Sequence, residues 1–183
     1  MLSTPQARRH LHQRAVTFNG YARDDGLWDI EAHLRDTKSH DFPVGERIFN
    51  PGEAIHDMEI RLTVNQDLIV QDIETLMRST PHPECPEATA AMKKMIGCSL
   101  KSGWRKSIEE NLGGVAGCTH LRELLFNMAT AAFQSDPKEF FTNQETEKPP
   151  THLGKCKAWD FNGPVVMRIF PKFYQWKNPE GKT

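Results

Sequence analysis

The sequence predicts an α+β domain: an antiparallel sheet of two hairpins with three helices packed on one of its faces. Three observations carry that prediction. Apolar and polar residues alternate with a period of two between residues 15 and 73, the pattern of a sheet with one buried face. Between residues 86 and 134 the apolar residues recur at helical spacing instead. Turn residues punctuate the alternating runs, and strands followed by helices are the order that packs helices on one face of an antiparallel sheet.

The first hairpin spans residues 15 to 37. In "LWDIEAHLRD", Trp28, Ile30, Ala32 and Leu34 alternate with Asp29, Glu31, His33 and Arg35, and Trp28 reads as a core aromatic. "RDDG" before it supplies the Asp-Gly pair that a tight turn needs. Residues 38 to 54, with Pro43, Gly45, Pro51 and Gly52, read as a loop. The second hairpin sets Met58, Ile60, Leu62 and Val64 on one face, turns at "NQD" and returns through Leu68 to Ile73. His56 falls in phase with its apolar face and Asp57 on the other.

Pro86 stands at a favoured first helical position, and Ala88, Ala91, Met92, Met95 and Ile96 form one stripe before Gly97. A second helix is predicted from Ser102, as cap, to Leu112, stopped by Gly113-Gly114. A third begins near Thr119 and carries Leu121, Leu124, Leu125, Met128 and Ala132 inward. Residues 1 to 135 are thus expected to form a single α+β domain. Residues 136 to 183 read as a linker and C-terminal extension, polar as far as residue 155. There "GPVVMRIFPKFYQW" is predicted to be a late strand, covering the sheet edge or packing on another copy of the chain.

Composition narrows the functions. The chain has 183 residues and a net charge of -1, which argues against a general electrostatic grip on nucleic acid or acidic lipid. No apolar stretch is long enough to span a bilayer, and no apolar core follows the basic start "MLSTPQARRHLHQR". Cys85, Cys98, Cys118 and Cys156 lie far apart with no C-x-x-C pair, so free thiols in a reducing cytoplasm are the expectation. Any metal site must be assembled by the fold from distant segments.

Two cysteines stand where helices are predicted to open. Free N–H groups and the helix dipole at such a place stabilise a thiolate, which marks Cys85 and Cys118. Cys118 and His120 are two apart, so inside one helix they would point about 200° apart. With Thr119 as cap, Cys118 lies in the preceding turn and the two side chains can converge. Read singly, Cys85, Cys118 and His120 are thus either helix-start residues or reactive side chains, and His56, in phase with the apolar face, reads as a hydrogen-bonded core histidine. Asp57 and His120, with Asp25 and Glu31 from the acidic stretch around the first turn, are the candidate acid–base groups. His10, His12, His82 and His152 read as surface or loop residues. No nucleotide-binding glycine loop, nucleophile elbow or H-E-x-x-H helix is present, so no organic cofactor is signalled.

Residues 54 to 133 resemble, in the order of their segments, the iron–sulfur cluster scaffold proteins. By that resemblance His56-Asp57, Cys85 and Cys118/His120 stand where the scaffold proteins carry their cysteine motifs, which makes His56, Cys85, Cys118 and His120 the candidate metal ligands, with zinc or iron as the ion. Two thiolates and two imidazoles replace the scaffold's three thiolates, a set that suits tetrahedral zinc at least as well as a cluster. "RRHLHQRAVTFNGYARDDGLWDIEAHLRDTKSHDF", "GEAIHDMEIRLTV", "PECPEA" and "LGGVAGCTHLRELL" are similar to a bacterial domain-of-unknown-function family, DUF2889. That resemblance implies a stand-alone bacterial protein and points weakly to aromatic or acyl-coenzyme A catabolism. The expectation is a small enzyme of lyase (carbon–carbon cleavage) or hydrolase type acting on a small substrate, an oxygenated aromatic among the candidates. The alternative is a metal or iron–sulfur carrier without catalysis.

Overall fold

The computed structural model describes residues 1–135 and 147–176, and the chain divides into two compact units, Met1–Ser135 and Asp136–Thr183. The first unit is α+β. Strands β1 (His12–Ala22), β2 (Trp28–Lys38), β5 (Ala54–Val64) and β6 (Val70–Ser79) form one antiparallel sheet in the order β1-β2-β5-β6. The hairpins are the predicted ones, and they join through β2 and β5, the two long central strands. The segment expected as a loop contains a small second sheet, β3 (Phe42–Val44) with β4 (Arg47–Phe49). Gly45 turns it at φ 58° and Phe49 is fully buried, so one side chain anchors the excursion.

Register explains the core. Ile30 faces Leu62, Ala32 faces Ile60 and Leu34 faces Met58 across β2 and β5. Their shared face packs against Met92, Met95, Trp104, Ile108, Leu112, Leu121, Leu124, Leu125 and Met128, so the helices lie on that face. The opposite face carries cross-strand ion pairs such as Arg61–Glu31 at 2.8 Å and Arg78–Glu59 at 2.7 Å.

Two local expectations in the helical half are corrected. Cys85–Met95 winds as successive 3-10 turns and not as an α-helix. Residues three apart eclipse in that geometry, and Met92 and Met95 reach the core together. Helix α1 (Trp104–Leu112) is preceded by Gly103 at φ 82°, a left-handed conformation that displaces Ser102 as its cap. Helix α2 (Thr119–Ser135) begins where the sequence placed it. The buried Trp104 Nε1–H donates to the Leu125 carbonyl at 2.7 Å and ties α1 to α2.

In the second unit the predicted late strand is helical instead: α3 runs Pro164–Ile169, followed by a 3-10 turn at Pro171–Phe173. Pro164 follows Gly163 and fixes a helical φ while lacking the N–H a strand ladder would use. Val166, Phe170, Phe173 and Leu153 form a small core there. Part of the expected linker, residues 136–146, lies outside the described residues. Among the described residues no helix is long and apolar enough to cross a membrane.

Candidate metal centre

The polar cluster of the first unit forms where the core face of the sheet ends. Along β2, Asp36 occupies the next position on the face of Ile30, Ala32 and Leu34. Its cross-strand neighbours are Arg14 on β1 and His56 on β5, so three chemically unlike residues lie side by side. The β2–β5 register shifts immediately after, between Asp36 and Thr37. Such a bulge re-aims side chains and ends regular pairing.

Asp36 is the hub, with its side chain only 3% exposed. Arg14 holds both of its oxygens, Nε to Oδ1 at 2.9 Å and Nη2 to Oδ2 at 2.8 Å. His12 Nε2 stands 3.1 Å from Oδ1 and His56 Nδ1 3.1 Å from Oδ2. Helix α2 supplies the fourth side. Its first turn places His120 Nε2 4.0 Å from Asp36 Oδ2, and one turn on Glu123 accepts from Arg14 Nη1 at 2.7 Å. The His56 and His120 rings lie with centroids 3.9 Å apart.

The cap of α2 is Cys118, not Thr119. The Cys118 carbonyl accepts the first helical bond, from Arg122 N–H at 3.0 Å, and the N–H groups of Leu121 and His120 donate to its sulfur. The sulfur lies 3.8 Å from His120 Nδ1, so the two side chains do converge. Burial pushes the Cys118 thiol up, but the contact with His120 and the two backbone donors outweigh it, and the net shift is downward.

Titration of the other members follows from the same contacts. Burial by itself would raise the Asp36 carboxyl, yet bonding to Arg14, then its charge, His12 and His56 hold it at about 2. Burial, followed by repulsion from His120, lowers His56 and outweighs the attraction of Asp36. The sign for Asp36 is that of a depressed carboxylate. Its contribution is complete above the unfolded value near pH 4 and is lost as pH falls through about 2, on the order of 2 kcal/mol in all. Arg14→Gln is expected to move that loss upward towards pH 4, read from urea midpoints across the acid range.

The other predicted site residues are not brought here. Cys85 opens the 3-10 segment, and among the described residues the converging ligand atoms come from Asp36, His56 and His120, with no thiolate: Cys118 touches His120 Nδ1 but stands outside the group. The two-cysteine, two-histidine set is therefore replaced by a carboxylate and two imidazoles. Asp57 lies one residue from His56, and the period of the strand sends it to the opposite face, where it meets His33 at 2.9 Å and Arg78 at 3.4 Å. Glu31 shares that face and pairs with Arg61. Asp25 closes the first hairpin turn against Arg23 at 2.6 Å and the Leu27 N–H. A groove of about 820 Å³, lined in part by Thr17, His33 and Glu59, holds none of the converging ligands.

Sequence reasoning missed Asp36, Arg14 and His12, although a signal was present. Asp36 is in phase with Ile30 to Leu34, and His12 and Arg14 are in phase with Val16 and Phe18. Charge at positions that should face the core marks a polar site at the end of that core.

Ligand atoms of Asp36, His56 and His120 all lie within 4.8 Å of one another, and together they form a group able to hold a metal ion. Metal–ligand bonds of about 2.0–2.1 Å require ligand atoms roughly 3–3.4 Å apart. The Asp36–His56 edge already fits at 3.1 Å, while the Asp36–His120 edge, 4.0 Å, must close by somewhat under 1 Å. Fold and site together define a small α+β protein with a carboxylate–imidazole centre between a sheet end and a helix start. The chain belongs to the family described as "Protein of unknown function (DUF2889)", whose profile matches residues 12–134 and so spans every member of the cluster. No match was found to a curated protein or to a solved structure.

Proposed function

We propose that this protein is a metal-dependent enzyme of lyase or hydrolase type, acting on a small oxygenated substrate at a zinc or ferrous-iron centre. Asp36, His56 and His120 are its ligands. The observation that supports this reading most is their convergence from β2, β5 and α2. A two-histidine, one-carboxylate set leaves coordination positions open for water or substrate, and suits ferrous iron as well as catalytic zinc.

The chain's own residues have distinct parts. Arg14 fixes the plane of the Asp36 carboxylate, and His12 occupies its second oxygen. Cys118 contacts Nδ1 of His120, which keeps Nε2 turned towards Asp36, the partner contact that holds a ligating histidine in one tautomer. The lowered value of His56 keeps it neutral near pH 7, the form that binds metal. A bound ion would polarise a substrate oxygen or activate water. An aromatic substrate is the part of this proposal carried by the family resemblance.

A carrier role is the competing reading, and the side-chain exposure of His12 (38%) and His120 (24%) favours an accessible ion. Elemental analysis and titration with Zn²⁺, or with Fe²⁺ without oxygen, test both readings. About one ion per chain is expected; His56→Ala and His120→Ala should weaken binding at least tenfold, Cys118→Ala by about 10- to 100-fold, and Cys85→Ser should leave it unchanged. A protein that binds neither ion, or binds as well without His56 and His120, overturns the centre. Turnover of a small ester or oxygenated aromatic by the loaded protein separates the enzyme from the carrier.

A further inference from the structure

We infer that the free edge of β1 is a self-association surface, on which a second copy of this chain pairs its own β1 antiparallel to form a closed dimer. The two edges of the sheet are built differently. At β6, Val70 is bracketed by Gly97 and Cys98 through backbone hydrogen bonds of 2.9 and 3.0 Å, and the Cys85–Met95 segment packs alongside. The β5–β6 register also shifts twice. Bulges and covering elements are how a sheet blocks pairing at an edge.

Among the described residues β1 has no bulge and no backbone partner on its outer edge, and α2 contacts it from the core side, where Glu123 bonds Arg14 at 2.7 Å. The strand pairs with β2 without a register shift over its full length, His12 to Ala22, and holds neither proline nor lysine. No other strand pairs with its outer edge among the described residues. Ten of its 11 residues are exposed, Val16 at 39% and Tyr21 at 49% among them. A long edge in unbroken register, with no strand paired to it among the described residues, is a template for another strand.

Charge selects the occupant. Two copies of β1 paired over their whole length place the twofold axis beside Thr17, with His12 opposite Ala22 of the second copy. Beyond the strand ends, by the same count, His10 and Arg9 lie on the side of the turn residues Asp24 and Asp25 of the second copy. The basic stretch Arg8-Arg9-His10 before β1 thus faces the turn after it, where Asp25 is also held by Arg23 at 2.6 Å and Asp24 supplies the net negative charge, twice over by symmetry. One patch that is basic at one end and acidic at the other complements itself when antiparallel. This inference does not depend on the metal reading, although β1 also supplies His12 and Arg14.

Sedimentation equilibrium tests it. The protein is expected at twice the 20.9 kDa of one chain. Thr17→Lys sets two like charges across the axis, so association should weaken at least tenfold while the circular dichroism stays that of the folded chain; Thr17→Val should remain dimeric. His10→Glu should weaken the pair, and adding Asp24→Arg, its counterpart by the same count, should restore it. A one-chain mass for the unaltered protein, an assembly larger than two, or a dimer indifferent to Thr17→Lys overturns the inference.

Discussion

Asp36→Ala is expected to lower metal affinity at least 100-fold and to destabilise the metal-free protein by about 3 kcal/mol. Asp36 is nearly inaccessible and holds three neighbours at once: the Arg14 guanidinium along both oxygens, His12 on one and His56 on the other. Removing one partner of a buried pair costs roughly 3–5 kcal/mol, because the remaining charge is left without its counterion. The lower end applies, since the Arg14 side chain is 34% exposed and retains Glu123 at 2.7 Å. Asp36→Asn separates charge from shape. It should recover part of the stability through a hydrogen bond to Arg14 but little of the metal binding, which needs an anionic ligand. Urea midpoints give the first quantity and calorimetric titration with Zn²⁺ the second. If Asp36→Ala proves as stable as the parent, Asp36 is not the hub.

Trp104→Ala is expected to cost about 3–5 kcal/mol, the range for truncating a buried aromatic. Trp104 is 4% exposed and packs in the core shared by sheet and helices. Its indole N–H, bonded to the Leu125 carbonyl at 2.7 Å, is also the polar link between α1 and α2. Trp104→Phe keeps most of the buried area and loses that bond, so about 1 kcal/mol is expected from it. Helix α2 positions Cys118 and His120, and a loosened α1–α2 contact should therefore also weaken the ion site. Equal destabilisation by Phe and Ala would assign the effect to the hydrogen bond and not to packing.

The core of the fold was legible residue by residue. The alternation Trp28–Leu34 and Met58–Val64 set the face of each central strand, because a strand admits only two faces. The stripe Leu121 to Ala132 set the buried side of α2 in the same way. What misled were segments where a single residue overrode the pattern. Pro164 turned an apolar run into helix, and Gly103 displaced the serine cap.

For the site, the sequence by itself determined that His56 faces the core side of its strand and that Cys118 and His120 stand at a helix start. Those facts are local, fixed by the two-residue period of a strand and by capping. Only the tertiary structure decided which groups meet. The pairing of β1 with β2 and of β2 with β5 brought Arg14, Asp36 and His56 into one row, and the packing of α2 set His120 above them. The same pairing carried Asp57 and Glu31 to the far face and left Cys85 outside the converging set. Side-chain direction follows from local geometry. Neighbourhood follows from strand order and register, which arise from the competition of the whole chain for burial.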